Sequence, residues 1–313
     1  MSYQVLGFHL ADSRSGLQTV KEKHHIFNQI LPTCVEVKTD GNILINNDNR
    51  DINSYLEKKS IIPMIQTAYM DFQISNQLIC NEKALNHFIK NILLYLRNEE
   101  YCEICIDIEG VQYKNKAEYT NFMKRVSDTL HQEGYSLSVV IPAKSENNQD
   151  STWSGAYDYN SLGKIVDRIV IMAYDFHWPG GPPGPIAPLP WVQDVIDYAI
   201  IEIPPEKLYL GLGLYGYDWA VDSDYRAKGV VFGQIKEIIL KHNTKVEWDQ
   251  DSQSPYLIYK KGGVEHEVWF ENKESIAKKI KLINDFQLKG VVFWRLGQED
   301  PGVWQLFEGS NNR

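Results

Sequence analysis

The strongest constraint on this chain is a rhythm. Short, apolar, β-rich runs alternate with longer segments whose apolar residues recur every three or four positions. Eight runs read as strands, at 4–9, 33–37, 61–66, 103–108, 136–141, 168–172, 208–214 and 290–293. Several are near-continuously apolar, as parallel strands buried on both faces are. Between them, Leu85, Phe88, Ile89, Ile92, Leu93 and Leu96 make one helical stripe. Tyr119, Phe122, Met123, Val126 and Leu130 make a second, and Ile276, Ile280 and Ile283 a third, opening after the cap candidate Asn272. Eight β/α alternations predict a (β/α)8 TIM barrel. An open doubly wound sheet is the alternative, but no Gly-rich phosphate loop follows the first strand.

One interval breaks the rhythm. From about 221 to 271 the pattern predicts a helix at 232–241, then strand-like segments at 245–248, 255–259 and 265–270. The turn Lys261-Gly262-Gly263 joins the last two as a hairpin. This is a small α+β insertion between the seventh strand and the last helix. The expectation is therefore one barrel domain over 1–313 with an insertion at 221–271. A proline-rich loop, Trp178 to Pro185, follows the sixth strand and is expected, stiff, at the C-terminal mouth of the barrel.

Composition removes several function classes. The formal charge is −9, from 32 Lys+Arg against 41 Asp+Glu, so no basic stripe awaits a nucleic acid. No stretch approaches the ~20 apolar residues of a membrane span. The start, Met1 to Gly7, lacks the basic region and apolar run of a secretory signal. The protein is expected to act inside the cell that makes it, or on the cell wall if an export segment precedes it. Cys34, Cys80, Cys102 and Cys105 read as reduced thiols, and Cys102-x-x-Cys105 lacks a second pair for zinc. The histidines form no ligand pattern, although His9 and His177 stand near strand ends and could edge a cleft. A monomer is expected.

In a barrel enzyme the reactive groups stand at the C-terminal ends of the strands. The fourth strand ends Ile104-Cys105-Ile106-Asp107-Ile108-Glu109. Alternation places the isoleucines on the helix side and Cys105, Asp107 and Glu109 in the lumen, the two carboxylates about 6.6 Å apart along the strand. Carboxylates that close couple, and one proton is held more tightly, which is what a general acid needs. A structural ion-pair role is the other reading. By the same parity Val170, Met172 and Tyr174 face inward on the sixth strand, with Asp175 following. On the eighth, Gly290, Val292 and Trp294 do so. Trp294 is either a floor for a sugar ring or a core plug. All eight tryptophans lie after position 150. Trp178 and Trp219, on the loops after strands six and seven, stand between sugar contact and loop packing. Paired carboxylates, a tyrosine, a third carboxylate and an indole suit sugar cleavage better than phosphate, redox or nucleotide chemistry.

Here the residues resemble a known family. Cys105-Ile106-Asp107-Ile108-Glu109 is similar to the end of the D-G-x-D-x-D-x-E signature of glycoside hydrolase family 18, the chitinase family. Met172-Ala173-Tyr174-Asp175 resembles its M-x-Y-D motif, and Gly290-Val291-Val292-Phe293-Trp294 its final-strand tryptophan segment. The stretches around Gly181-Pro182-Pro183, Val192 to Ala199, Ile203-Pro204-Pro205, Leu214-Tyr215-Gly216-Tyr217-Asp218-Trp219 and His266 to Glu271 resemble one bacterial branch. That branch is the spore cortex-lytic SleL/YaaH-type N-acetylglucosaminidases. Two positions depart from the signature. Its opening Asp-Gly is Cys102-Glu103 here, and its first inner Asp is Cys105. A thiol shares a proton poorly, so the tuning of Asp107 is expected to be weaker.

The resemblance implies a retaining mechanism in which the substrate's own acetamido oxygen is the nucleophile. Glu109 would be the general acid/base. Asp107 would orient the acetamido N–H and stabilise the developing positive charge. Tyr174 and Asp175 would position the acetamido group. Trp294 would stack beneath the sugar, with Met172, Trp178, Trp219 and Tyr215 as further substrate contacts. No metal or organic cofactor is implied. The implied substrate is the N-acetylglucosamine linkage of peptidoglycan, from spore cortex fragments. The implied location is the mother-cell cytoplasm and then the spore coat or cortex, without visible LysM anchoring repeats. Two alternatives stand beside it: a chitinase or chitooligosaccharidase, and a non-catalytic sugar-binding or spore-coat protein on the same scaffold.

Overall fold

The computed structural model describes residues 3–46, 50–67, 72–221 and 226–308. The barrel strands are β1 (Gln4–Leu10), β2 (Gln29–Val37), β4 (Met64–Thr67), β5 (Glu103–Asp107), β6 (Ser136–Pro142), β7 (Arg168–Met172), β8 (Leu208–Gly213) and β14 (Gly290–Trp294). Neighbours pair in parallel around the ring, and β1 pairs with both β2 and β14, so the sheet closes. Closure leaves no barrel edge unpaired. A short β3 (Ile43–Ile45) adds antiparallel to the end of β2. Helices α1 (Arg14–Lys23), α2 (Arg50–Asn53), α3 (Phe72–Cys80), α4 (Glu82–Glu99), α5 (Lys116–Gln132), α6 (Tyr159–Ile165), α7 (Leu189–Glu202) and α9 (Lys273–Asp285) lie between the strands in sequence. This is the (β/α)8 barrel the alternation predicts.

Boundaries differ where local chemistry intervenes. The third expected strand, 61–66, begins only at Met64. Pro63 has no N–H to donate to a ladder, so Ile61 makes an isolated bridge to Ile30 instead. Helix ends follow their caps. The Asn81 side chain accepts from Lys83 N and Ala84 N at the start of α4, and Asn272 accepts from Glu274 N and Ser275 N at the start of α9.

Strand alternation sorts the core into two layers. Ile104, Ile106, Ile108, Val139, Ile141, Ile169 and Ile171 meet the helix stripes from α4, α5 and α9 in the outer layer. Leu6, Phe8, Leu31, Met64, Cys105, Val170, Met172 and Val292 fill the lumen, with Tyr174 and Trp294 packed against them. At the N-terminal end of the lumen, Arg168 pairs with Glu103 at 3.6 Å and stacks 4.7 Å over Tyr209. Ser138 donates to the same carboxylate. Glu103, an unusual acid at that depth, thereby has both a cation and a hydroxyl donor as partners.

The second sheet is antiparallel, in the order β10 (Lys228–Val230), β9 (Gly216–Ala220), β13 (Val264–Phe270), β12 (Ser254–Lys261) and β11 (Glu247–Asp249). It therefore begins at Gly216, ahead of the expected 221, because β9 pairs with β13 along Gly216–Ala220. The hairpin turn is as expected. Lys261 pairs with Val264, and Gly262 and Gly263 take φ values of 61° and 85°, which favour glycine. Helix α8 (Phe232–His242) covers one face through Ile235, Leu257, Val268 and Phe270. The other face carries Tyr217, Trp219, Trp269 and Tyr256. After β13, the buried ion pair Glu271–Lys279, at 2.8 Å, fastens the insertion to α9. Among the described residues, no helix is long and apolar enough to cross a membrane.

Candidate active site

The C-terminal ends of β5, β7, β8 and β14 converge on one cluster of polar groups. On β5, Cys105 lies in the lumen beside Met64 of β4, and the same register puts Gln66 beside Asp107. Strand β5 ends at Asp107, and Glu109 follows one alternation further up. Three hydrogen bonds hold the turn that carries it. Tyr157 Oη donates to Ile108 O at 2.9 Å, Ser75 Oγ to Glu109 O at 2.5 Å, and Asn76 Nδ2 to Gly110 O at 3.2 Å. A φ of 70° at Gly110 makes that turn possible.

Asp107 is buried, and its Oδ1 has no hydrogen-bond partner among the described residues. Burial first, and the Glu109 charge second, push its carboxyl well above the usual range. It is strongly perturbed although a thiol, not an acid, stands below it. Burial raises Glu109 from 4.5 to about 7, with the Asp175 charge adding to the effect. Asp175 is itself raised by burial, and two hydroxyl donors oppose that rise. These are Tyr215, whose hydroxyl donates to Asp175 Oδ1, and Tyr217, which donates to the same oxygen at 2.9 Å. Asp175, three residues beyond the end of β7, takes a left-handed φ of 59°. Tyr174 is half-buried near the three acids, and desolvation and their charges hold its hydroxyl protonated. With Asp107 and Glu109 both raised and each disfavouring the other's charge, a proton stays on this pair near neutral pH.

Trp294 ends β14 on the lumen side, partly exposed, with Phe8 edge-on at 5.3 Å. Met172 lies in the lumen layer below. The inward parity of Asp107, Tyr174, Met172 and Trp294 is as the alternation predicts. Tyr174 and Tyr215 rings meet at 6.3 Å, Tyr215 and Tyr217 at 5.3 Å, and Tyr217 and Trp219 at 5.6 Å. An aromatic wall thus runs from Tyr174 onto the insertion sheet.

Two expected substrate contacts part company. Trp178 is 50% exposed, with the Arg226 guanidinium 5.6 Å over its ring. Trp219 is 3% exposed, and its indole nitrogen donates to Gly181 O at 3.1 Å. Of its two readings, loop packing is the one the geometry favours: Trp219 ties the 178–185 loop to the insertion. His9 does not edge the cleft either. It alternates with the lumen residue Phe8, faces outward, and lies so near Gly16 that a Cβ there would meet its ring nitrogen at 2.8 Å.

Several residues of the site were not singled out from the sequence. Gln66 was legible by parity with Met64. Tyr217 was legible by alternation with Tyr215, but its bond to Asp175 joins positions 42 apart. Ser75 and Tyr157 leave no local signal.

Comparison with known proteins gives a consistent result. The profile of the family described as "Glycosyl hydrolases family 18" matches residues 71–299. The chain is 31% identical over 280 residues to the "Cortical fragment-lytic enzyme" of Bacillus anthracis, covering 87% of this chain and 65% of that protein. It is 31% identical to the enzyme of the same name from Bacillus subtilis (strain 168), covering 80% of this chain and 59% of that one. The chain thus spans less than two thirds of the length of these relatives. Its structure is similar to the crystal structure of the Bacillus cereus spore cortex-lytic enzyme SleL, with a TM-score of 0.89 and 28% identity, covering 97% of this chain and 73% of that one.

Proposed function

The chain belongs to the glycosyl hydrolases family 18, and from that premise we propose that it hydrolyses N-acetylglucosamine linkages of spore cortex peptidoglycan fragments. The observation that carries the reading is the buried Asp107 beside the half-buried Glu109, whose carboxyl is raised to about 7 with the Asp175 charge adding to the effect. A carboxyl group that keeps its proton near neutrality beside two further acids is what glycosidic oxygen protonation requires.

Each residue then has a role. Glu109 protonates the leaving oxygen and later takes the proton of the incoming water. The substrate's acetamido oxygen attacks the anomeric carbon, so no protein nucleophile is required and configuration is retained. Asp107 orients the acetamido N–H and balances the positive charge that develops on the ring formed. Tyr174 donates to the acetamido oxygen, and Asp175, held by Tyr215 and Tyr217, fixes the far side of that group. Trp294 supplies the floor against which the sugar stacks. The gain comes from an intramolecular nucleophile already in place and from charges positioned before reaction. The same branch of relatives supports a spore-associated location.

The test is mass analysis of products from cortex peptidoglycan fragments and from chitin oligomers, with wild type and Glu109→Gln. Products ending in a reducing N-acetylglucosamine, released from cortex fragments faster than from chitin and absent with Glu109→Gln, are expected. Faster chitin cleavage would overturn the substrate, and full activity in Glu109→Gln would overturn the mechanism.

A further inference from the structure

A second pocket lies away from the aromatic wall, bordered by residues of α5, α6 and α7 and by the segment after β6. It encloses about 100 Å³. A cavity of about 150 Å³ takes a six-atom ring such as benzene, so this one suits a ligand of about five heavy atoms. Its lining is almost wholly polar.

The charges in it are arranged unusually. Lys144 is 6% exposed. Its ammonium donates to Tyr157 O at 2.7 Å and lies 5.3 Å over the Tyr159 ring. Among the described residues it has no carboxylate within ion-pair distance. Burial, with Lys116 nearby, lowers its pKa to about 8. An ammonium has three donors, and a buried one left with a single hydrogen bond is costly. Glu202 lines the same pocket from the end of α7 and makes no hydrogen bond or ion pair among the described residues. It is near enough to act on Lys144 by charge, yet the two do not pair. Asp158, the other acid there, is already engaged by Lys116 at 3.0 Å. A cation with no carboxylate partner and an anion with no partner among the described residues therefore line one pocket of small-molecule size.

We propose that this pocket binds a small zwitterion of the α-amino-acid class, its carboxylate on Lys144 and its ammonium on Glu202. The neutral balance of the pocket, two lysines against two acids, argues against a multivalent anion such as phosphate, which Asp158 and Glu202 would repel. A lone monocarboxylate would satisfy Lys144 and leave Glu202 as it is. The inference is independent of the activity proposed for the cleft. The nearest connection is Tyr157, whose carbonyl Lys144 holds and whose hydroxyl holds Ile108.

Three matched probes test it: glycine, acetate (glycine without its amine) and methylamine (glycine without its carboxylate). Saturation-transfer NMR on the intact protein reads binding of each. Glycine should bind saturably, with acetate and methylamine each weaker by about tenfold or more. Lys144→Met and Glu202→Gln should each weaken glycine by a similar factor, and Glu109→Gln should leave it unchanged. Glu202 is partly exposed, so Glu202→Gln keeps the test available if Lys144→Met fails to fold. Equal affinity for acetate and glycine, unchanged binding in Glu202→Gln, or no saturable glycine signal would each overturn the proposal. Loss of glycine binding in Glu109→Gln would do so as well, by placing the ligand in the cleft.

Discussion

Replacing Glu109 with Gln should raise the stability of the fold while removing its activity, and the stability gain should depend on pH in a calculable way. Glu109 ionises near 4.5 in an unfolded chain and near 7 in the folded one. Below about pH 4.5 it is protonated in both states and contributes no difference. Between the two values the unfolded chain releases a proton that the folded one retains, so stability falls as pH rises. Above about pH 7 the full cost is present. The interval from 4.5 to about 7, at about 1.4 kcal/mol per pH unit, amounts to about 3 kcal/mol at most. A neutral amide of the same shape carries no such cost. At roughly 2 °C per kcal/mol for a chain of this size, the difference in Tm between variant and wild type should be up to about 6 °C larger at pH 8 than at pH 4.5. Calorimetric scans of both proteins at the two pH values measure it, and any packing change common to both pH values cancels. In the same preparations hydrolysis should fall by at least ~10²-fold. A stability difference that does not change with pH would refute the burial argument for Glu109 as the proton holder.

Three further outcomes follow from the same geometry. The alkaline limb of kcat/KM in wild type should lie near pH 7, and Asp175→Asn should move it to lower pH, since the Asp175 charge helps raise Glu109; a pH–rate profile on residual activity checks the direction. Trp294→Ala should raise KM roughly 30-fold, from about 2 kcal/mol of lost stacking area, with far-ultraviolet circular dichroism unchanged. Lys279→Met should cost about 3–5 kcal/mol in urea unfolding, because Glu271, 3% exposed, is then left as a buried unpaired charge.

Much of this protein is legible in its sequence because the relevant signals are local. The period-2 alternation around Ile104–Glu109 has only one arrangement that keeps isoleucines against helices, and that arrangement aims both carboxylates inward. The same reasoning places Met172, Tyr174 and Trp294. The helix stripes on α4, α5 and α9, the Asn272 cap and the Gly262-Gly263 turn are likewise short-range features. So is the count of eight strands, from which closure of the barrel follows.

What only the tertiary structure decided depends on groups distant in sequence. The start of the insertion sheet at Gly216 follows from β9 pairing with β13, which no local pattern reports. Trp219 differs from Trp178 because Gly181 O comes within 3.1 Å of its indole nitrogen and seals it. The proton on Glu109 is held by desolvation, a sum over everything that excludes water from the group, and by the charge of Asp175 from the segment after β7. Residue types and their parity are written along the chain. Dielectric, partner and exposure are properties of the packed whole, and they are what turn two inward carboxylates, with Asp175 nearby, into an acid poised near neutral pH.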